Sequence, residues 1–401
     1  MKRPLDGIRV VDLTIYIQGP LATAMLGVMG AEVIHIEPPG TGDLGRGARK
    51  TWGIDLATSK SNSLLFEAFN RNKKSIGLDI HKVEGREVIK RLVEKSDVFA
   101  TNLRMEGLKR LGADPVIVQQ YNPNLIYARA GGFGSKGPDN DAPALDATGY
   151  ARSGFMFTQA SNENDPPIYL VGAIADVISA TIFAFSIVTA LLARERSGVR
   201  QEAYTSLLSG MLWLQYFQMA VVLNKGRKFE PHKHGSSRNP LINNYKCSDG
   251  RWMTLGLFGA ERFWPKFCRA IIMEELLTDP RFETHEKRTE NATELCSVLA
   301  ELFATKTSTE WGKILKEAGL WHSVVNKPEE MDSDAQVIAN NFILDFDSLR
   351  LVSFPFELSK MPITLTKGSP EFAQHTEEVL HDVCGYSWEE IVRLKELNVI
   401  A

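Results

Sequence analysis

Residue types able to do chemistry are sparse in this chain, and one acid stands out by its setting. Asp176 in "GAIADVISATIFAF" sits at the threshold of seventeen residues, Val177 to Ala193, that carry no formal charge. A carboxylate next to so apolar a run is costly to bury without a partner or a task. Two readings follow from the residues. Asp176 caps the helix that the run forms, where free amides and the macrodipole favour its ionised form. Alternatively it is a carboxylate nucleophile toward an activated acyl group, with Gly172 and Ala175 leaving room for approach.

Other candidates are weaker. "GFGSKG" (132–137) has the spacing of a dinucleotide loop, but Pro138 follows where a helix should open, so it reads as a turn or lid loop. His232 and His234 stand two apart in a polar stretch with no cysteine or carboxylate at metal-ligand spacing. No GxSxG elbow is present. Two basic groups could hold a phosphorylated ligand at strand ends: Arg71, Lys73 and Lys74 before one strand, and Arg104, Lys109 and Arg110 after another.

Positioning these groups requires a scaffold, and its pattern is legible. "GIRVVDLT" (7–14), "AEVIHIEPP" (31–39), "SIGLDI" (75–80), "DVFATNL" (97–103) and "NLIYARAGGF" (124–133) read as strands. Helical spacing intervenes at 19–30 and 83–96, so strand–helix–strand units imply a parallel, doubly wound α/β fold over residues 1–150. The run after Asp176 reads as a buried helix of a soluble protein, since Ser179, Thr181, Ser186 and Thr189 interrupt it and no second span follows. A strand then a helix fill 200–224, a linker-like polar stretch covers 225–244, and a smaller α+β unit begins near 245.

The chain has 401 residues, 44% apolar and 24% charged, with a net charge of −3. That composition is globular and gives no reason to expect nucleic acid or a membrane as partner. Four scattered cysteines and no apolar signal core at the start point to a reducing cytoplasm.

Taken in order, several blocks resemble the class III CoA-transferases, the CaiB/BaiF family. They are "PLDGIRVVDLT…GPLATAMLGVMGAEVIHIEPPGTGD", "NRNKKSIGLDI", "GREVIKRLVEKSDVFATNL", "GGFGSKGP…LDATGYARSGFM", "GAIAD…RERSG" and "HTEEVLHDVCGYSWEEIVRLKELNVI". The resemblance implies that CoA moves from an acyl-CoA donor to a carboxylic acid acceptor, through aspartyl anhydride and aspartyl-CoA thioester intermediates on Asp176. It implies CoA contacts at Tyr16, Ile17, Asn72, Lys73, Lys74, Ser75, Asn102, Leu103, Arg104 and Arg110, and no metal. It also implies a Rossmann-like large domain built from both chain ends (1–205 and 331–401), a linker (206–244), a small domain (245–330) and an interlocked homodimer. A glycine-rich lid in the small domain would here rest on Gly256 and Gly259.

Two departures bear on substrate. Where some members carry a basic residue after the "VIHIE" strand this chain has Pro38, so Arg46 or another cation would serve adenine or phosphate. Ile17 stands where the formyl-CoA branch has a glutamine, with Gln18 one place along, which argues against oxalate or formate. The alternatives are a racemase of the same superfamily, a CoA-binding protein without turnover, or a dehydrogenase using the "GFGSKG" loop. A racemase needs a histidine where this chain has Leu145, and leucine cannot move a proton. Tyr150, Phe155, Phe157, Trp213 and Tyr216 supply apolar bulk suited to a medium or bulky acid.

Overall fold

The computed structural model describes residues 2–51, 53–58, 62–160, 164–226, 237 and 239–401. Two compact units are formed. The first holds residues 1–156, 169–227 and 338–401, and the second holds 157–168 and 228–337.

The first unit is built on a six-stranded parallel sheet. In chain order its elements are β1 (Arg9–Leu13), α1 (Gln18–Val28), β2 (Glu32–Glu37), β3 (Lys73–Gly77), β4 (Val98–Thr101), β5 (Ile126–Gly131), α2 (Asp146–Arg152), α3 (Ile174–Ser197), β6 (Glu202–Ser206) and α4 (Leu207–Leu214). The spatial order is β3-β2-β1-β4-β5-β6. Strand order therefore reverses between β1 and β4, and the loops leaving these two strands part there, opening a crevice at the carboxyl ends. Strands covered on both faces read as continuous apolar runs, and β4 is buried along its whole length. On one face pack the helices Val83–Glu94, Thr376–Asp382 and Trp388–Glu396, with Val88, Leu92, Leu380 and Ile391 buried together. On the other, α1 and α3 meet through Ala22, Leu26, Ala180, Phe183 and Ile187.

The end of the chain returns to the sheet, where Ala401 N donates to Gly77 O and Leu78 bridges Ile400. In the second unit, strands Ile242–Lys246, Trp252–Gly256 and His322–Val324 form an antiparallel sheet. Trp264, Phe267, Phe303 and Trp311 fill the core of that unit. Gly256 ends a strand there, and Gly259 precedes the helix Ala260–Ala270 with φ 76°.

The strand and helix expected over 200–224 are β6, α4 and a further helix, Tyr216–Lys225. Two expectations need correction. Lys73 and Lys74 do not precede their strand but form its first two residues, since β3 starts at Lys73. Helix α3 is only partly buried, and Val177, Phe185 and Leu192 are exposed along its other side. Its hydroxyls are no obstacle to the helix, because Ser179, Thr181, Ser186 and Thr189 donate to carbonyls three or four residues back.

A polar network lies inside the first unit. Asp12 Oδ2 is 2.9 Å from Lys73 Nζ, 3.2 Å from His35 Nδ1 and 2.8 Å from Thr23 Oγ1. Its other oxygen accepts from Thr14 Oγ1 at 2.5 Å, which ties the loop after β1 to the sheet. Burial by itself would raise the Asp12 carboxyl, but Lys73 and His35 outweigh it and hold it well below the usual range. Burial likewise opposes charge on His35, yet Asp12 and then Asp43 lift the imidazole to about 9. Breaking one side of a buried pair costs about 3–5 kcal/mol, because the survivor keeps its desolvation penalty. Asp12→Asn should lose about that much in urea unfolding, and adding Lys73→Met should recover more than half of the loss. Equal stability of the wild type and the single variant would contradict this account of the network.

Candidate active site

Asp176 is the third residue of α3. Gly172 (φ 114°) and Ala173 (φ 51°) turn the chain through the left-handed region just before it, which sets where the helix begins. The first amides of a helix need acceptors. Here Asp146 supplies one: its Oδ1 accepts from Ala175 N at 2.7 Å and from Asp176 N at 3.0 Å. Asp146 is the first residue of α2, which packs closely against α4. A Cβ at Gly149 would stand 2.6 Å from the Cβ of Leu207, so only glycine permits that approach. Tyr150 donates to Leu170 O at 3.1 Å and pins the segment that leads into α3.

The capping role expected of Asp176 therefore belongs to Asp146. The consequence for Asp176 is the opposite of easy ionisation. Among the described residues no donor reaches its carboxylate. Burial, and then the negative charge of Asp146, push its pKa up to about 7. Burial also raises the Asp146 carboxyl, against the two amide hydrogen bonds that lower it.

Asp176 lines a cleft of about 120 Å³ at the carboxyl ends of β1, β4 and β5. Asn102 clamps the loops that part at the switch in strand order: its Oδ1 accepts from Ile15 N and its Nδ2 donates to Ile15 O, both at 2.9 Å. Tyr16 is held at φ 68°, a conformation that a bulky residue adopts only when its surroundings impose it. Gln18 Nε2 donates to Ser179 Oγ at 3.0 Å and to Gly131 O at 3.4 Å, joining α1 and β5 to the second turn of α3.

Of the residues singled out in the sequence, Tyr16, Asn102, Leu103 and Arg104 line this cleft together with Asp176. At the first turn of α1 it is Gln18, not Ile17, that faces the cleft. The side chains of the 72–75 group are engaged elsewhere. Asn72 Oδ1 accepts from Lys367 N at 2.7 Å, and Lys73 is buried against Asp12. Lys74 pairs with Glu32 at 2.7 Å and Glu378 at 2.8 Å, and Ser75 Oγ donates to Glu37 at 2.6 Å. Arg110 is an exposed residue of the helix Met105–Leu111, outside the cleft lining.

Arg46 is no free substitute for the missing basic residue. It is buried and grips Glu37 through Nε at 2.6 Å and Nη2 at 2.7 Å. The aromatic residues proposed for an acyl pocket are not in the cleft lining either, and Trp213 and Tyr216 are exposed. "GFGSKG" forms bends with no helix after them, and Leu145 lines the cleft beside Asp176. His232 and His234 lie outside the described residues. Among those described, no group of three His, Cys, Asp or Glu is placed to hold a metal.

Sequence reasoning missed Asp146, Gln18 as a cleft residue and Arg129, which also lines it. A signal for Asp146 was present: in "LDATGY" an acid follows a proline-bearing loop and opens a short helix, a natural position for an acid that meets helix amides.

The family model for CoA-transferase family III matches residues 5–376, and the chain belongs to that family. It is 30% identical over 402 residues to the (R)-2-hydroxy-4-methylpentanoate CoA-transferase of Clostridioides difficile, covering 99% of each chain. It is 30% identical over 403 residues to the succinyl-CoA–D-citramalate CoA-transferase of Chloroflexus aurantiacus, covering 99% of this chain and 98% of that one. Among solved structures, Rv3272 of Mycobacterium tuberculosis superposes with a TM-score of 0.83 at 27% identity, over 94% of this chain and 98% of that one. A CaiB/BaiF family protein from Brucella suis gives 0.83 at 26% identity, over 96% and 100%. The parallel six-stranded α/β architecture is thus that of the CaiB/BaiF structures.

The raised pKa has a consequence for stability. The folded carboxyl of Asp176 titrates near 7 and an unfolded aspartate near about 3.9, so between these values the folded state binds the extra proton. Stability from this group is complete at low pH and is lost as pH rises toward 7. Asp176→Asn should therefore stabilise the protein at pH 8, on the order of 1–3 kcal/mol, and change little at pH 4. Thermal unfolding at both pH values checks this, and a destabilised variant at pH 8 would contradict it.

Proposed function

We propose that this protein moves CoA between carboxylic acids with Asp176 as the nucleophile. One observation carries the reading: a half-buried carboxyl stands free in a cleft at the switch in strand order, its helix amides already taken by Asp146. Membership of the CoA-transferase family supplies the chemistry that such a group would serve.

In the proposed sequence the ionised Asp176 attacks the thioester carbonyl of a bound acyl-CoA. The tetrahedral adduct collapses, the carbon–sulfur bond breaks and CoA leaves as thiolate, giving a mixed anhydride. The thiolate then attacks the aspartyl carbonyl of that anhydride, releasing the donor acid and leaving an aspartyl-CoA thioester. The acceptor carboxylate repeats the steps in reverse: it displaces the thiolate to form a second anhydride, and the thiolate returns to the acceptor carbonyl, freeing Asp176. A poorly solvated carboxylate is a better nucleophile than one stabilised by water or amides, and anhydrides need protection from hydrolysis. The surroundings of Asp176 serve both needs. Loop amides near Gly131 and Gly132 are candidates for stabilising the oxyanion. Leu145 offers no proton carrier, so racemisation is not favoured.

Two of the relatives are named for CoA transfer to (R)-2-hydroxy-4-methylpentanoate and between succinyl-CoA and D-citramalate, and an acyl-CoA and a carboxylic acid are the substrates proposed here. We also propose a homodimer. Val177, Phe185 and Leu192 on α3, and Trp213, Tyr216, Phe217 and Leu223 beyond β6, leave more apolar surface exposed than a lone subunit favours. A cytoplasmic location is the companion expectation, since all four cysteines are buried free thiols.

Steady-state kinetics over a panel of acyl-CoA donors and acids should show exchange that Asp176→Ala abolishes while CoA binding persists. Transfer retained in that variant would overturn the assignment. The rate kcat/KM should rise with pH to a plateau with an apparent pKa near 7, because the nucleophile must be ionised. In Asp146→Asn, which keeps an acceptor oxygen but removes the like charge, that limb should move to lower pH. An unmoved limb would contradict the proposed influence of Asp146.

A further inference from the structure

Arg129 stands on β5, in register with Thr101 of β4 and Tyr204 of β6 and two residues before Gly131. Its side chain is 7% exposed, and it lines the same cleft as Asp176. Its Nε is buried with no hydrogen-bond partner. Its ion-pair partner, Asp141, comes no closer than 3.8 Å. Asp141 is occupied elsewhere: Oδ1 accepts from Met105 N at 2.5 Å and Oδ2 from Glu106 N at 3.0 Å, at the start of the helix Met105–Leu111. A buried guanidinium with its Nε donor unmet is expensive, and an anion in the cleft is the kind of group that would engage it.

The layout of the cleft indicates which anion. Gln18 ties Ser179, one turn beyond Asp176 on α3, to Gly131. Asp141 ties Arg129 instead to the helix that follows Asn102–Arg104. The cation and the nucleophile line one small cleft, each held there through its own contacts. An acid whose reacting carboxyl lies at Asp176 can then present its far end to Arg129. Of the two arginines in the lining, Arg104 is exposed and Arg129 buried, so the interior of the cleft offers one planar fork; that matches one carboxylate through two parallel hydrogen bonds, whereas a diphosphate calls for several cations. The cavity of about 120 Å³ suits a short chain.

We propose that Arg129 seats the far carboxylate of a short dicarboxylic acid, free or as its CoA half-thioester. The proposal rests on the CoA-transfer reading of Asp176, but its test needs no turnover. Titration calorimetry of the wild type with glutarate and with valerate compares acids matched in length that differ in the far carboxylate. The wild type should bind glutarate about 10- to 100-fold more tightly. That ratio should fall toward one in Arg129→Gln and return in part in Arg129→Lys. A wild-type ratio near one, or a ratio unchanged in Arg129→Gln, would overturn the proposal. So would a loss of CoA affinity in Arg129→Gln equal to the loss for glutarate, which would assign the side chain to a CoA phosphate. If Arg129→Gln does not fold, as judged by circular dichroism, the wild-type ratio decides. Failure of every donor to transfer CoA would sink the reading of Asp176 while leaving this ratio to be read on its own.

Discussion

The first amides of a helix will bind a carboxylate, and at α3 two aspartates compete for them. Asp146 reaches Ala175 N and Asp176 N from a neighbouring helix, so the amides that could have held Asp176 are already satisfied. The carboxyl of Asp176 is left with burial and a like charge as its environment, and both raise its pKa. One capping interaction thus does two things: it starts the helix and denies its acid the stabilisation that would have made it inert. A group titrating near neutrality in a cleft is available both as acid and as nucleophile.

The rest of the first unit can be understood as what keeps that arrangement in place. The 3-2-1-4-5-6 type of strand order opens the crevice between β1 and β4. Asn102 holds the two parting loops together, and the Asp12–Thr14 contact anchors one of them to the buried network with Lys73 and His35. Gln18 links that loop region to the second turn of α3 through Ser179. Close approach at Gly149 lets α2 carry Asp146 to its post. Apart from Asp12–Thr14, each contact joins residues far apart in sequence, so the setting of Asp176 depends on distant parts of the chain.

That same non-locality sets what could be read in the sequence. Strands and helices followed from local periodicity, as in "RVVDL" and "VEGREVIKRLVE". Arg104 could be placed because open α/β sheets bind ligands at the carboxyl ends of strands, whereas Tyr16, Asn102 and Leu103 were indicated only by the family resemblance. The partner of a charge could not be placed. Lys73 looks like a phosphate ligand in "NRNKKS" until Asp12, sixty residues upstream, is seen to neutralise it. Arg46 is lost to Glu37 in the same way. Asp176 was visible as an anomaly from its apolar neighbours, but whether it caps or stays free depends on Asp146, thirty residues away, and no spacing rule reports that.

The central claim concerns the protonation of one carboxyl, and it can be measured on the resting protein. Infrared difference spectra between the wild type and Asp176→Asn, recorded across a pH titration, isolate the carboxyl and carboxylate bands of Asp176. The account predicts a midpoint near pH 7, moving downward when Asp146 is replaced by Asn. A midpoint near about 4, the value of an ordinary aspartate, would contradict it.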